Sequence, residues 1–162
     1  MAASYTATYA VPRTPMVTYL SALYPSSAIN GYGPYERDRS NGQAAAGDGK
    51  PITLNGVVYA RGLGTHALAD LRYPMLSGSC NFMASLGIDD ESGSAGSVTF
   101  QVLAGSTSLY TSPRLTGSSA THTINLAVPA GTTQLRLVVG NGGDNTSSDH
   151  ADWGNARLSC TS

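Results

Sequence analysis

Apolar and polar residues alternate with a period of two through most of the chain after residue 50. Such alternation predicts half-buried strands, because successive side chains of a strand point to opposite faces. The predicted strands are 52–54, 57–59, 66–73, 82–88, 98–104, 109–110, 124–128, 135–139 and 155–160. Asn55-Gly56, between the first two, is typical of a two-residue hairpin. Many short strands with Gly-rich turns predict an all-β fold, a two-sheet antiparallel β-sandwich or jelly roll.

The start of the chain is predicted to differ from the strand-rich remainder. Residues 1–13 predict an extended leader, and residues 14–162 predict the folded domain. Thr14 and Pro15 are residue types favoured at a helix N-cap and at the first helical position, and a short apolar face follows before Pro25. We therefore expect one short N-terminal helix.

Composition favours a single exported domain. The chain of 162 residues is long enough for one hydrophobic core, since 41% of them are hydrophobic and only 12% are charged. Gly, Ser and Thr replace charged residues, which suits an exported protein more than a cytosolic one. The net charge of -1, with nine dispersed Lys and Arg, argues against a nucleic-acid partner. No apolar run has the length of a transmembrane helix.

The two cysteines, Cys80 and Cys160, each lie in phase with an alternating apolar series, so both sulfur atoms are predicted to point into the core. One interpretation is a disulfide, which would close a long loop and contribute on the order of 4 kcal/mol. The alternative is two free buried thiols. A disulfide fits an oxidising compartment. The start, Met1 to Ser4, lacks the regions of a signal peptide, so we expect a signal to have been removed upstream and Met1 to have been added for expression.

The first of three polar segments runs from Asn30 to Ser40 and contains four consecutive charged residues. Tyr32, Glu36 and Arg37 are predicted to form part of a recognition surface that combines aromatic and polar groups. The alternative is a loop whose alternating acids and bases pair with one another.

The second polar segment, Asp89, Asp90 and Glu91, follows the predicted strand 82–88. Adjacent carboxylates repel one another unless a cation or strong donors lie among them, and oxygen ligands suit calcium. The sequence therefore offers Asp89 and Asp90, together with Asp149, as calcium ligands. The alternative is a solvated turn.

The third polar segment, residues 144–153, is predicted to be a loop and contains the only tryptophan. Trp153 beside Asp149, His150 and Asp152 is a typical composition for a sugar site. The ring would stack on the apolar face of a pyranose, while carboxylates and imidazole bind its hydroxyls. The alternative is that Trp153 belongs to the core.

His66 lies in the segment GLGTHA at 62–67, where glycines permit a close approach of two backbones. A lone histidine is more often a structural residue than a ligand, and both interpretations stay open here.

These segments together resemble the NPCBM family of carbohydrate-binding modules. The resemblance rests on YLSAL at 19–23, NGYGP at 30–34, ERDRS at 36–40, GDG at 47–49, ITLNG at 52–56, YARGLGTHA at 59–67, GIDDE at 87–91 and DHADW at 149–153. It covers roughly residues 16–160 in the same order. It implies a malectin-like or galactose-binding-type jelly roll that binds sugar, often galactose-type, sometimes with structural calcium. Tyr32 stands where the family often has Trp.

The resemblance and the polar segments together give a set of predicted ligand-binding residues. They are Tyr32, Glu36, Arg37, His66, Asp90, Glu91, His150, Asp152 and Trp153. The family usually targets an attached glycoside hydrolase to its substrate. Because the match covers nearly all of this sequence, we expect a secreted or cell-surface lectin or a cell-envelope component.

Three other functions stay open. His66 and His150 could converge as ligands of copper or zinc in an exported metal-dependent protein or enzyme. The acids around 89–91 and 149–152 could supply the acid and the nucleophile of a glycosidase. A structural role in a bacterial envelope would use residues 1–13 as the segment that contacts a protein partner.

Overall fold

The computed structural model describes residues 14–75 and 78–161, and within these ranges the chain is almost entirely β. Two single turns of 3-10 helix lie at Leu20–Ala22 and Asp90–Ser92. The strands are β1 (Met16–Tyr19), β2 (Ser27–Ile29), β3 (Glu36–Arg37), β4 (Ile52–Leu54), β5 (Val57–Tyr59), β6 (Gly62–His66), β7 (Ala69–Pro74), β8 (Ser79–Ile88), β9 (Ser97–Ala104), β10 (Thr107–Thr111), β11 (Leu115–Thr116), β12 (His122–Val128), β13 (Gln134–Gly140) and β14 (His150–Thr161).

Two antiparallel sheets form the predicted sandwich. The first sheet has the order β12-β8-β14-β6-β3, with β1 also paired to β14. The second has the order β10-β9-β13-β7-β2, with β11 paired to β9. Strands β4 and β5 form a separate hairpin, and its turn residues Asn55 and Gly56 have φ of 48° and 77°. Two positive φ angles suit the two-residue hairpin turn that Asn-Gly predicted. The all-β sandwich is thus confirmed.

The core lies between the two sheets and follows from the alternation along their strands. In β8, Phe82, Ala84 and Leu86 are buried, whereas the residues between them are at least partly exposed. In β9, Val98 and Phe100 point inward from the other sheet in the same way. Each strand therefore contributes one face to a shared apolar layer, as period-two patterning requires.

Strand β14 is the central strand of the first sheet, and it begins earlier in the chain than the sequence predicted. Its first half pairs with β6 and its second half with β1, while β8 lies along its other side. A bulge interrupts the β8 pairing between Gly154 and Arg157. The prediction that residues 150–153 belong to a loop is wrong, because this segment continues the strand and carries His150 into the sheet.

The N-terminal region also differs in detail from the prediction. The short helix is present only as the 3-10 turn at Leu20–Ala22, and Met16–Tyr19 before it pair with Cys160–Arg157 of β14. Pairing with a free strand edge outweighs the weak local signal for a helix, because that signal supports only a few hydrogen bonds. The leader 1–13 lies outside the described residues.

The predicted disulfide between Cys80 and Cys160 is present. The two residues are register partners on β8 and β14, with Cα atoms 4.1 Å apart. The bond closes a loop of 80 residues at the end of the sheet opposite His150. Within the described part of the chain, no helix is long and apolar enough to cross a membrane.

Candidate functional site

Two histidines meet at one end of the first sheet. His66 is the last residue of β6, His150 is the first of β14, and the antiparallel register pairs them directly. Their rings pack edge to face, with centroids 5.2 Å apart and an interplanar angle of 75°. Strand pairing therefore brings together two residues 84 positions apart in the sequence.

Each imidazole has one nitrogen tied to the backbone. Nδ1 of His66 lies 2.9 Å from the carbonyl oxygen of Ala67, and Nδ1 of His150 lies 3.0 Å from that of Asn41. A carbonyl oxygen can only accept, so Nδ1 carries the proton in both rings. In the neutral rings Nε2 is then an acceptor, the role that suits a ligand hydroxyl.

Burial keeps His66 in that neutral form. The residue is 8% exposed. Desolvation lowers the pKa of His66 below its ordinary value, although its hydrogen bond to Ala67 acts in the opposite direction. Around neutral pH the ring therefore offers Nε2 as an acceptor and carries no charge.

The backbone around the histidines is held by two asparagines. Asn30 accepts from the His66 N–H at 2.8 Å and donates to the Asn41 side-chain oxygen at 2.7 Å. Asn41 in turn donates to the Tyr32 carbonyl at 3.1 Å. This network fixes the segment before β3 against the end of β6, and it sets the position of Tyr32.

Glycines make the close packing around this network possible. A Cβ atom on Gly64 would lie 2.4 Å from the Arg39 carbonyl oxygen, and one on Gly31 would lie 2.0 Å from that of Ala67. Both contacts are with backbone, which cannot turn aside as a side chain can. The prediction that glycines next to His66 permit a close backbone approach is confirmed.

Tyr32 supplies the exposed aromatic ring of the site. Its residue exposure is 47%, and its ring centroid lies 5.7 Å from that of His66. Its hydroxyl donates to Oε1 of Gln43 at 2.9 Å. The ring is therefore held at its polar tip, while part of its apolar surface faces solvent beside the imidazoles.

Glu91 and Lys50 place opposite charges on the other side of His150. Oε1 of Glu91 accepts from the Ser40 hydroxyl at 2.8 Å and lies 3.3 Å from Nδ1 of His150. Oε2 lies 3.3 Å from Nζ of Lys50. The Lys50 side chain is 72% exposed, so water screens this ion pair and the lysine can turn toward a ligand at little cost. We call Tyr32, His66, Glu91, His150 and Lys50 the histidine site.

Two predicted binding residues have other partners. Both carboxylate oxygens of Glu36, which is buried, accept from the Gly47 N–H at 2.8 Å. The guanidinium of Arg37 lies 4.3 Å from the centre of the Tyr24 ring. Glu36 thus holds the loop after β3 and Arg37 packs on an aromatic ring, so the structure gives both side chains other contacts than the predicted ligand contact.

Asp89 and Asp90 hold the β4–β5 hairpin. Asp89 accepts from the Thr53 N–H at 2.8 Å and from the Glu91 N–H at 2.9 Å. Asp90 accepts from the N–H groups of Asn55 and Gly56. Backbone N–H donors thus offset the repulsion among the adjacent carboxylates, which was the reason to expect a cation. Asp90 contacts the hairpin, where the sequence predicted a contact with the ligand.

The predicted metal ligands do not form a cluster. The Asp149 carboxylate accepts from the Ser97 N–H of β9 at 2.8 Å. Across residues 14–75 and 78–161, no three His, Cys, Asp or Glu side chains are grouped to hold an ion. Backbone N–H groups donate to all three carboxylates predicted as calcium ligands. Calcium there, or copper or zinc at His66 and His150, stays a prediction.

Asp152 and Trp153 lie inside the protein, so their predicted contact with sugar is wrong. Asp152 is fully buried, and burial, with Asp89 nearby, raises its pKa well above the ordinary value. Trp153 has no exposed surface and packs edge to face on Phe100, at a centroid distance of 4.9 Å. Asp152 and Trp153 therefore belong to the interior of the protein. Of the segment 149–153, His150 is the residue that lies in the histidine site.

Sequence reasoning missed Lys50 and the supporting residues Asn30, Ser40 and Asn41. Lys50 is the only lysine of a charge-poor chain, and that signal could have singled it out. The role of Asn30 and Asn41 depends on contacts between three loops, which no local pattern contains.

Comparison with known proteins decides the family. The family model for the NPCBM/NEW2 domain matches residues 16–159. The chain belongs to this family. The predicted resemblance is confirmed, and the fold is that of a carbohydrate-binding module.

Two much longer curated proteins each contain a segment that is similar to this NPCBM chain. A protein of Renibacterium salmoninarum named "Putative endo-alpha-N-acetylgalactosaminidase" is 40% identical over 162 residues, which are 99% of this chain and 11% of that protein. The "Alpha-1,3-galactosidase B" of Akkermansia muciniphila is 32% identical over 110 residues, covering 63% of this chain and 13% of that protein. The chain thus spans about a tenth of the length of these relatives.

Solved structures of similar NPCBM-type modules have the same fold. The CBM51 module of Clostridium perfringens GH95, in complex with methyl-galactose, is 34% identical and has a TM-score of 0.78, covering 88% of this chain and 99% of that one. CBM51-2 of the Clostridium perfringens protein ZmpB, in complex with GlcNAc, has a TM-score of 0.78 at 24% identity, covering 91% of this chain and 32% of that one.

Proposed function

We propose that this module binds a galactose-type sugar at the histidine site and catalyses no reaction there. The observation that carries the proposal is the exposed Tyr32 ring beside two imidazoles whose Nδ1 atoms are held by backbone carbonyls. The Tyr32 ring offers an apolar surface for the C–H face of a pyranose. The Nε2 atoms and the Glu91 carboxylate accept from hydroxyls, and Lys50 donates.

The comparisons support the choice of sugar. The solved module at 34% identity holds methyl-galactose, and both curated relatives are named for galactose-type substrates. Galactose differs from glucose in the direction of one hydroxyl. A site with fixed acceptors can discriminate between them, because a misdirected hydroxyl leaves a buried acceptor unpaired.

Isothermal titration with methyl galactoside, N-acetylgalactosamine and methyl glucoside tests the proposal. We expect the galactose-type ligands to bind and the glucoside to bind at least tenfold more weakly. Tyr32→Ala and His150→Ala should each lower the affinity about tenfold or more, which is about 1.4 kcal/mol.

Two variants serve as matched controls. Tyr24→Ala removes a ring that is 73% exposed outside the site, and His122→Ala removes the third histidine of the chain. Both should leave the affinity unchanged. Folded protein that binds none of the ligands, or site variants no weaker than the controls, would refute the assignment.

We further propose that the protein works outside the cytoplasm. The Cys80–Cys160 disulfide supports this location, since such bonds persist in oxidising compartments. Immunoblots of culture supernatant, envelope and cytoplasm from the native host should place the protein in the first two. Protein confined to the cytoplasm, with both thiols free to alkylation, would contradict the proposal. The predicted envelope partner of residues 1–13 stays a prediction.

A further inference from the structure

A second groove lies on the outer face of the first sheet and shares no residue with the histidine site. Its volume is about 340 Å³, within the range of small-ligand sites of about 300–1,000 Å³. Its floor is β8, and β12 and β14 lie on either side. The side chains that line it include Met83, Ser85, Thr123, Asn125, Asn155 and Arg157.

Strand register fixes which groups lie side by side in this groove. Asn125 of β12 pairs with Met83 of β8, Met83 pairs with Arg157 of β14, and Arg157 pairs with Tyr19 of β1. An amide, a thioether, a guanidinium and a phenol thus form one row across four strands. Because register partners share a face, the row is set by the backbone.

The bulge in β14 brings a second amide next to the guanidinium. Asn155 has a φ of 52°, and its N–H donates to the Arg61 carbonyl at 2.8 Å, outside the β8 ladder. Nη1 of Arg157 donates to the Asn155 carbonyl at 3.1 Å. Bulges re-aim side chains, and this one places Asn155 beside Arg157 at the wall of the groove.

Among the described residues, Arg157 is the only charged side chain that lines the groove. Four other arginines pair with an aspartate: Arg61, Arg72, Arg114 and Arg136. Within the described ranges Arg157 forms no such pair. A planar guanidinium matches a carboxylate with two parallel hydrogen bonds, and the surrounding amides and hydroxyls match the hydroxyls of a sugar.

We propose that this groove is a second glycan-binding site, specific for a sugar residue that carries a carboxylate. Arg157 binds the carboxylate, Asn125 and Asn155 bind hydroxyls, and Met83 contacts the apolar face of the ring. The module then engages an acidic sugar on its sheet face independently of the sugar at the histidine site.

Titration of the full chain with charged and neutral counterparts of one sugar tests the inference. We expect methyl glucuronide and N-acetylneuraminic acid to bind, methyl glucoside to bind at least tenfold more weakly, and added salt to weaken only the acids. Arg157→Gln should lower the acid affinity at least tenfold. Arg114→Gln, which removes an arginine elsewhere on the surface, should leave it unchanged.

The methionine methyl groups give a direct readout of the occupied site. Of the four methionines, Met83 lines this groove, whereas Met16 and Met75 line a separate cavity. In a methyl-labelled sample, the acid should shift the Met83 signal and leave those of Met16 and Met75 in place. Thr123→Trp, a change on an exposed position of β12, should block the groove and abolish the shift.

Defined outcomes would overturn the inference. They are equal affinity for glucuronide and glucoside, undiminished acid binding by both Arg157→Gln and Thr123→Trp, or binding of glucose 6-sulfate without binding of either carboxylate. Tyr32→Ala separates the two proposals, since it should abolish galactoside binding and leave acid binding intact. Loss of both ligands in folded Tyr32→Ala would also overturn the inference, because it would place the acid at the histidine site.

Discussion

Replacing Trp153 by leucine should lower the stability of the protein and leave its sugar affinity intact. The indole is fully buried and packs against Phe100 at 4.9 Å and Phe82 at 6.4 Å between ring centroids. Loss of the two aromatic pairs lowers the free energy of unfolding by about 1–3 kcal/mol. The cavity that leucine leaves brings the total loss to roughly 3–5 kcal/mol. The indole N–H has no hydrogen-bond partner among the described residues, so its removal offsets about 1–3 kcal/mol. The expected net loss is about 2 kcal/mol.

Tyr32→Leu is the matched substitution at the exposed ring. It should change stability by less than about 0.5 kcal/mol and lower galactoside affinity at least tenfold. Urea unfolding followed by far-ultraviolet circular dichroism measures the first quantity, and isothermal titration measures the second. The reasoning fails if Trp153→Leu weakens binding tenfold with an unchanged unfolding midpoint, or if Tyr32→Leu binds as well as the wild type.

Stability and binding should also respond to pH, to the disulfide, to one glycine and to chelation. The pKa of Asp152 is raised in the folded state, so the folded protein keeps a proton that the unfolded chain loses above about pH 4. The free energy of unfolding should therefore fall as the pH rises above about 4, by up to about 1.4 kcal/mol per pH unit. Asp152→Asn should flatten this slope in urea titrations between pH 4 and 7, and an unchanged slope would contradict the assignment. Replacing both Cys80 and Cys160 by alanine should lower the free energy of unfolding by about 4 kcal/mol without changing galactoside affinity at the opposite end of the sheet, and an equal loss of affinity would count against that separation. Gly64→Ala, whose Cβ would lie 2.4 Å from the Arg39 carbonyl oxygen, should lower both the melting temperature and galactoside affinity, and full retention of both would refute the close approach. EDTA should leave galactoside affinity unchanged, because the carboxylates predicted as calcium ligands accept hydrogen bonds from backbone N–H groups. A loss of affinity in EDTA that added calcium reverses would contradict this expectation and support a calcium site.

Strands with strict alternation were predicted well, and short or glycine-rich ones were not. The runs at 82–88, 98–104 and 135–139 lie within β8, β9 and β13. Their pattern is strong because one face of each strand meets the core. Strand β6 contains two glycines and is buried along its whole length, so it has no alternation to detect. The pattern at 66–73 predicts one strand, but β6 ends at His66 and β7 begins at Ala69.

The candidate site was predicted only in part. His66, His150, Glu91 and Tyr32 were singled out, and the structure brings them together. The same reasoning included Trp153, because a tryptophan beside acids looks alike in sequence whether its ring faces solvent or the core. The phase of β14 decides the question, and that phase depends on where the strand begins.

The sequence by itself determined the fold class, the core-facing positions of the long strands, the hairpin at Asn55-Gly56 and the family. These features are local or are repeated along the chain, so the pattern of residue types is enough to predict them. Tertiary structure alone decided that His66 faces His150, that backbone donors bind the Asp89 and Asp90 carboxylates, and that Arg157 has no carboxylate partner among residues 14–75 and 78–161. Each of these depends on the register between strands distant in sequence, and a shift of one residue would turn every side chain of a strand to its other face.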